Sequence, residues 1–147
     1  ENNSMDNKRL PFSDTMRVRF SDADAQGHLY FANYMVFADE VAGHYMEELG
    51  YGAMNPQDAP ALIFTVNINC DYKSECKSGD SVLVQVGYEK LGNSSAVLAY
   101  ELRMQETEEL LASGRITQVF VDPGSRTSCP IPEEFRAAIV ARQPSLA

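Results

Sequence analysis

The chain has 147 residues, of which 44% are hydrophobic and 22% charged, and its 21 acidic and 12 basic residues give a formal net charge of −9. This length and composition predict one globular domain with a substantial hydrophobic core, and they exclude a disordered or fibrous protein. The acidic excess and the lack of a basic cluster argue against nucleic-acid binding, because binding to phosphates needs clustered Lys and Arg.

No apolar run approaches the roughly 20 residues of a membrane-spanning helix, and the N-terminus has no signal-peptide core. Residues 1–14 are predicted to be a flexible lead-in, with residues 1–4 a candidate cloning remnant, and residues 15–147 a single domain. Three cysteines, Cys70, Cys76 and Cys129, cannot all pair within the chain, and none has metal-ligand spacing. We therefore expect reduced thiols, a cytoplasmic location and no metal.

The first half of the chain predicts one strand and one long helix. In residues 15–20 apolar side chains alternate with arginines, which predicts a strand with Met16, Val18 and Phe20 on its buried face. After an Asp-rich loop, apolar residues recur with helical spacing at Tyr34, Phe37, Ala38, Val41, Tyr45 and Leu49.

The ends of this helix can be read from its flanking residues. Asn33 is a candidate N-cap and Gly50 a candidate residue just past the last turn. A start near residues 29–31 would bring the positive end of the helix dipole closer to the Asp-rich loop.

The second half predicts four strands and a short helix. Residues 51–60 read as a linker across the helix. From Leu62 a long strand is predicted with one apolar face, formed by Phe64, Val66, Ile68, Cys70 and Tyr72. Three more alternating strands follow, with inner faces at Val82, Val84, Val86 and Tyr88, then at Ala96, Leu98, Tyr100, Leu102 and Met104, and then within residues 110–121.

Turn residues separate these strands. Residues 77–80 and 92–95 are predicted turns, and Gly114 interrupts the last strand, which suggests a bulge or a close backbone approach. Residues 131–141 are predicted to form a short terminal helix, opened by Ile131 and Pro132. The order is therefore that of an α+β protein: an antiparallel sheet of about five strands with one helix packed on it. Exposed sheet edges invite pairing, so a dimer is expected.

The densest chemistry lies in the loop before the helix. Asp22, Asp24, Gly27 and His28 fall within seven residues, and the first turn of a helix has unpaired N–H groups that can polarise a carbonyl. Asp24 could attack a carbonyl or direct a water molecule while those groups stabilise the oxyanion. Turn formation and helix capping offer the competing explanation for such a loop.

The order of elements and this loop resemble the hotdog-fold acyl-CoA thioesterases of the 4-hydroxybenzoyl-CoA thioesterase type, over nearly the whole chain. Further likenesses are Asn33-Tyr34 at the helix start, residues 77–80 in a hairpin, Gly114-Arg115 in the last strand and residues 130–132 before the terminal helix. The resemblance implies a sheet wrapped around one long central helix. It also implies hydrolysis of an acyl or aroyl thioester to a free acid and CoA, without a cofactor.

The resemblance implies roles for particular residues. Asp24 stands where the family has its catalytic carboxylate, and Phe31 stands where a backbone N–H holds the thioester carbonyl. The substrate-binding residues that it implies are Gly27, His28, Tyr30, Asn33 and Tyr34. Asp22 is interpreted as a brace of the loop. Candidates for binding the CoA phosphates are Lys73, Lys77 and Arg126.

Two positions depart from some members of the family. Certain relatives have a tyrosine four residues before the catalytic aspartate and a histidine at the helix start, where this chain has Phe20 and Phe31. Polar help from these side chains is therefore absent, although a backbone N–H donor is unaffected. A slower turnover or a more apolar acyl group is expected.

Several alternatives remain open from the sequence. Asp24 could be a nucleophile that forms a mixed anhydride or a general base for water, and the acyl carrier could be CoA or acyl carrier protein. A hotdog hydratase or dehydratase with His28 as the base, or a non-catalytic acyl-CoA-binding protein, would share these motifs. The resemblance implies a homodimer that pairs into a homotetramer.

Overall fold

A computed structural model describes residues 10–51 and 59–147 of the chain. The strands are β1 (Phe12–Arg17), β2 (Leu62–Ile68), β3 (Asp71–Tyr72), β4 (Ser81–Leu91), β5 (Ser95–Met104) and β6 (Leu110–Val121). The helices are α1 (Phe31–Glu48) and α2 (Glu133–Arg142), and short 3-10 turns occupy Phe20–Asp22 and Pro144–Leu146. Within these described ranges, no helix is long and apolar enough to cross a membrane.

The strands form one antiparallel sheet in the order β1-β4-β5-β6-β2, and β3 pairs with β6. The predicted α+β architecture is confirmed, with six strands where about five were expected because β3 is a separate two-residue strand. β1 and β2 stand at the two ends of the strand order, and each pairs with a single neighbour in the part of the chain described.

The central strands bury the faces that their alternation predicts. In β4 the side chains of Val82, Val84, Val86 and Tyr88 are all buried, and in β5 those of Ala96, Leu98, Tyr100 and Leu102 are buried too. These faces meet the apolar side of α1, formed by Tyr34, Phe37, Ala38, Val41, Ala42, Tyr45 and Met46. Burial of a large apolar side chain contributes about 1.5–3 kcal/mol, so this contact between α1 and the sheet is a major source of the stability of the fold.

The long helix begins earlier than its predicted cap. Tyr30 occupies the N-cap position and Phe31 is the first helical residue, so the assignment of Asn33 as N-cap is wrong. The amide of Asn33 instead donates to the backbone carbonyl of Asp22, 2.9 Å away, which draws the loop against the helix start. Gly50 follows the helix with a φ of +87°, a conformation that glycine adopts without a steric penalty, as predicted.

The first strand is shifted relative to its prediction. It covers Phe12–Arg17, and the chain then turns into the Phe20–Asp22 3-10 segment because the carboxylate of Asp22 accepts a hydrogen bond from the backbone N–H of Arg19. Val18 is buried as expected, but Phe20 is 89% exposed, so its predicted place on the buried face is wrong.

The strand predicted from Leu62 to beyond Tyr72 is divided in two. A register shift lies between Thr65 and Asn67, and the regular strand pairing is interrupted at Asn69 and Cys70, although the N–H of Asn69 still donates to the carbonyl of Arg115 in β6 at 3.0 Å. Phe64 and Val66 are 42% and 58% exposed, whereas Ile68 and Cys70 of the same predicted face are partly buried against the core, so only the second half of that face packs as predicted. The predicted linker lies largely at residues 52–58, outside the described residues.

Gly114 lies where two backbones come very close. A Cβ atom added there would lie 2.1 Å from the carbonyl oxygen of Asn69 and 2.6 Å from the hydroxyl of Tyr100. The close approach predicted from this glycine is therefore confirmed. The terminal helix is confirmed as well, with bounds Glu133–Arg142, and it buries Phe135 and Ile139.

Candidate active site

A pocket of about 360 Å³ lies between the Asp-rich loop, the start of α1 and the segment that follows β3. It is lined by Asp24, Gln26, His28, Leu29, Phe31, Tyr34, Tyr72, Lys73, Ser74 and Glu75. A carboxylate, an imidazole and a helix N-terminus thus surround one concave space.

The loop is held in place from its first residues. The carboxylate of Asp22, which is buried, accepts hydrogen bonds from the backbone N–H and the guanidinium of Arg19 at 2.9 to 3.1 Å. The hydrogen-bonded guanidinium lowers the pKa of the Asp22 carboxyl, while burial acts in the opposite direction. The backbone carbonyl of Asp22 accepts from the N–H of Tyr30 at 3.0 Å. Asp22 is therefore the brace that the sequence suggested.

The loop closes on itself between Asp24 and His28. The N–H of Asp24 donates to the carbonyl of His28 at 2.8 Å, and the N–H of Gly27 donates to the carbonyl of Asp24 at 3.0 Å. Gly27 has a φ of +84°, so the turn itself requires glycine at this position. A tight turn therefore presents the Asp24 side chain next to α1.

The loop forms hydrogen bonds with only one oxygen of the Asp24 carboxylate. Its Oδ1 accepts hydrogen bonds from the N–H groups of Gln26 and His28, at 2.9 and 3.2 Å. No hydrogen bond to Oδ2 is found among residues 10–51 and 59–147. The hydrogen bonds of the turn therefore engage only Oδ1 of this exposed side chain, and Oδ2 is available to a substrate.

The first turn of α1 provides donors beside this carboxylate. The N–H of Asn33 is paired with the carbonyl of Tyr30 at 2.8 Å. For the N–H groups of Phe31 and Ala32 no partner is found in the described segments, as is usual for the first residues of a helix. Phe31, the first residue of this turn, is exposed and lines the same pocket as Asp24.

Aromatic rings form one wall of the pocket. Tyr72 packs edge to face against Tyr34, with ring centroids 5.2 Å apart, and its hydroxyl donates to the backbone carbonyl of Phe31 at 2.8 Å. The Tyr34 hydroxyl is close to the carbonyl of Ser74, at 3.4 Å, and burial raises the pKa of Tyr34 well above its ordinary value. These phenols therefore remain neutral at physiological pH.

Polar side chains line another part of the pocket, near His28. His28 Nδ1 lies 3.6 Å from Glu75 Oε1, and the backbones of His28 and Lys77 form an isolated bridge. Cys76 is buried beside the Tyr34 hydroxyl, and burial raises the pKa of its thiol to about 11. Cys76 is therefore a protonated core residue, and no cluster that could hold a metal ion is found among the described residues.

Four of the predicted site residues line the pocket: Asp24, His28, Phe31 and Tyr34. Gly27, Tyr30 and Asn33 lie in the adjoining loop and helix start without lining it. Lys73 lines the pocket, whereas Arg126 lies over the ring of Phe64, 5.7 Å from its centroid.

Sequence reasoning missed Tyr72, Ser74 and Glu75 as part of this pocket. In the sequence, the only sign that these residues line a pocket is the end of the alternating pattern after Tyr72. Side chains at the end of a strand no longer have to alternate between the two faces of the sheet, so they can point toward a neighbouring loop.

A second pocket, of about 340 Å³, lies between α1 and β2. Its lining includes Asp39, Gly43, Met46, Phe64 and the buried Gln118. Loss of water around Asp39 raises the pKa of its carboxyl. This pocket opens beside the exposed strand β2. It adjoins the middle of α1, whereas the pocket lined by Asp24 adjoins the start of this helix.

Comparison with known proteins places this arrangement in a family. Residues 18–139 match the model of the thioesterase-like superfamily. A 1,4-dihydroxy-2-naphthoyl-CoA hydrolase of Synechococcus sp. (strain CC9605) is 30% identical over 123 residues, covering 79% of this chain and 80% of that protein. The acyl-CoA thioesterase YbgC of Haemophilus influenzae is 26% identical over 128 residues, covering 86% of this chain and 93% of that protein.

A solved structure has the same fold. The structure of BH1999, a gentisyl-coenzyme A thioesterase, superimposes with a TM-score of 0.78 at 27% identity, covering 87% of this chain and 99% of that chain. The fold and the family match therefore define a hotdog thioesterase, an enzyme of the thioester hydrolase class. The chain belongs to the thioesterase-like superfamily.

Proposed function

We propose that this protein hydrolyses an acyl- or aroyl-CoA thioester to the free acid and CoA, with Asp24 as the reacting carboxylate. The observation that carries the proposal is that Asp24 and the first turn of α1 line the same pocket. Relatives named for naphthoyl-CoA, gentisyl-CoA and acyl-CoA cleavage support a CoA thioester as the substrate.

The Asp24 carboxylate suits this role because the loop orients it through hydrogen bonds to only one of its two oxygens. Two loop N–H groups hold Oδ1, and Oδ2 retains its lone pairs for the substrate. A carboxylate held in this way loses little conformational freedom when it reacts.

The N–H groups of Phe31 and Ala32 are proposed to hold the thioester oxygen. Negative charge builds up on this oxygen when the carbonyl carbon becomes tetrahedral, and the positive end of the helix dipole stabilises it. Loss of one such donor typically costs about 10²–10³ in kcat, and general-base catalysis contributes roughly 10²–10⁴.

Two routes remain for Asp24. As a nucleophile, its oxygen bonds to the carbonyl carbon, the C–S bond breaks, the thiolate of CoA takes a proton from solvent, and water then hydrolyses the mixed anhydride. As a general base, Asp24 takes a proton from water, the hydroxide bonds to the same carbon, and the proton passes to the departing sulfur. After a single turnover in ¹⁸O-labelled water, label in Asp24 identifies the nucleophilic route with attack of water on the aspartyl carbon of the anhydride, since a general base exchanges no oxygen with water.

Other residues have supporting parts in the proposal. Tyr34 is proposed to face the acyl group, and Gly27, Tyr30 and Asn33 to shape the approach to it. His28, next to Glu75, is proposed to contact the substrate from the polar side. For the CoA phosphates we propose Lys73, which lines the pocket, with Lys77 and Arg126 as further candidates.

We also propose that the protein forms a homodimer through β2, and that dimers pair into a homotetramer. Phe64 and Val66 on β2 are exposed, and a second copy would cover them while pairing the strand edge. Exposed Phe20 and Val36 are candidates for the contact between dimers. The three free thiols fit our expectation of a cytoplasmic location.

A panel of acyl- and aroyl-CoAs scored by thiol release tests the proposed function. We expect cleavage of at least one thioester by the wild type, and a fall in kcat of about 10²-fold or more for Asp24→Asn with CoA affinity nearly unchanged. The matched control is Asp71→Asn, which neutralises an exposed carboxylate on β3 that does not line the pocket.

Three results would overturn the proposal. Wild-type turnover by Asp24→Asn would remove Asp24 from its role. Hydration of an enoyl-CoA without thiol release would favour a hydratase with His28 as the base. Tight binding of intact acyl-CoAs without any cleavage would identify a non-catalytic binding protein.

A further inference from the structure

Tyr72 connects β3 to the first residue of α1, across 41 positions of the sequence. Its hydroxyl donates a hydrogen bond to the backbone carbonyl of Phe31 at 2.8 Å. Its ring packs edge to face on Tyr34 and on Phe31, with centroid distances of 5.2 and 6.4 Å. The ring contacts and the hydroxyl bond together set where the helix start lies relative to the sheet.

The carbonyl that accepts this bond belongs to a peptide unit with a second role. The C=O of Phe31 and the N–H of Ala32 are two ends of the same planar amide. A donor on the oxygen polarises the amide, and hydrogen bonds in such chains strengthen one another by about 10–30%. The bond from Tyr72 therefore makes the N–H of Ala32 a better donor and fixes its direction.

We propose that Tyr72 is a positioning residue for thioester cleavage, acting through the Phe31–Ala32 peptide to orient and polarise the Ala32 N–H that holds the thioester oxygen. The inference rests on the proposed function and adds a residue that the sequence motif does not contain. Partial burial raises the pKa of the Tyr72 hydroxyl, so it keeps its proton and donates at neutral pH.

The position of this bond favours such a role over simple stabilisation. Tyr72 is exposed, and an exposed hydrogen bond adds little to folding stability because water competes for both groups. β3 has only two residues and pairs with β6 at Ser113 and Ala112. Tyr72 nevertheless lines the pocket together with Asp24 and Phe31.

The test compares Tyr72→Phe with the wild type in full-length protein. The substitution removes the hydroxyl and keeps the ring, so the contacts with Tyr34 and Phe31 persist. We expect kcat for a thioester from the panel to fall about 5- to 20-fold, less than the 10²–10³ for loss of an oxyanion donor itself, with KM changed less than twofold. The amide resonance of Ala32 is expected to shift in the ¹⁵N–¹H spectrum.

A matched control and a rescue make the result specific. Tyr51→Phe removes another tyrosine hydroxyl that donates to a backbone carbonyl, that of Ala61, away from the pocket. It should leave kcat and the Ala32 resonance unchanged. Incorporation of 3-fluorotyrosine at position 72, which keeps the hydroxyl, should restore kcat to within about twofold of the wild type.

The outcomes separate the inference from the proposed function. If Asp24→Asn is inactive but Tyr72→Phe retains wild-type kcat, the positioning role is overturned and the proposed function stands. A loss of kcat without any change at Ala32, or a loss equal to that in Tyr51→Phe, also overturns it. If the wild type cleaves no thioester, the proposed function fails and the inference fails with it.

Discussion

The side chain of Asn33 donates a hydrogen bond to the backbone carbonyl of Asp22 at 2.9 Å. This bond joins the first turn of α1 to the start of the loop that carries Asp24. The same carbonyl accepts from the N–H of Tyr30. Two donors from the helix start therefore hold the loop that carries Asp24 against the first turn of α1.

We predict that Asn33→Ala lowers kcat about 10-fold, because small displacements of reacting groups cost up to about 10²-fold in rate. The free energy of unfolding should fall by only about 0.5–1.5 kcal/mol, the usual net contribution of one hydrogen bond. Steady-state kinetics and urea denaturation measure the two effects. Asn93→Ala, in the turn between β4 and β5, is the control, and equal kinetics for both variants would contradict the prediction.

The pair of Arg19 and Asp22 predicts an acid-sensitive loop. Because the folded-state pKa of Asp22 is lowered, its contribution to stability is present above the ordinary carboxyl pKa of 3.8 and is lost as pH falls through the lowered value. Asp22→Asn should destabilise the protein by about 1–2 kcal/mol at pH 7, a figure discounted because Arg19 is largely exposed.

Thermal unfolding at pH 7 and near pH 3 tests this prediction. The difference in melting temperature between wild type and Asp22→Asn should shrink as the pH falls. A difference that stays constant over this range would show that the carboxylate charge is unimportant and that only the shape of the side chain matters.

The two glycines Gly114 and Gly43 should respond to alanine in opposite directions. At Gly114 a Cβ atom would overlap the carbonyl of Asn69 and the hydroxyl of Tyr100, and such overpacking costs about 1–3 kcal/mol or more. At Gly43, inside α1, a Cβ atom would meet no atom within 4 Å, and alanine should stabilise the helix by about 0.5–1 kcal/mol.

Chemical denaturation of both variants checks the signs. A destabilised Gly114→Ala and a stabilised Gly43→Ala are expected. If Gly43→Ala instead weakens the assembly, a second copy of the chain packs against this face of α1, and sedimentation would show the loss.

The proposed dimer through β2 predicts a position-specific effect of charge. Val66→Lys places a charge in the exposed apolar face of this edge strand and should convert the dimer to monomers at micromolar concentration. Ser13→Lys places the same charge on the exposed side of β1, the strand at the other end of the sheet, and should leave the assembly intact. Analytical ultracentrifugation measures both, and an unchanged Val66→Lys dimer would assign the interface elsewhere.

Local patterns were sufficient for much of the fold. The alternation of β4 and β5 and the apolar stripe of α1 depend on the geometry of a single element, so their buried faces could be predicted residue by residue. The loop carrying Asp24 could be found in the same way, because two aspartates and a glycine lie between a strand pattern and a helical pattern.

Contacts between segments far apart in the sequence could not be predicted in this way. Phe20 and Val66 follow apolar periodicities yet are exposed, because the turn at Asp22 carries Phe20 away from β1 and β2 lies at the edge of the described sheet. Asn33 looks like a helix cap, but it binds the carbonyl of Asp22 since the loop returns to within 2.9 Å of it.

The sequence by itself therefore determined the long helix, the central strands β4 and β5 with their buried faces, and the presence of a carboxylate beside a helix start, because each of these follows from interactions between near neighbours. The tertiary structure alone decided that Tyr72 meets the carbonyl of Phe31 and that its segment completes the pocket. Such contacts depend on how separate elements dock, and docking is decided by the packing of the whole core and by no single stretch of residues.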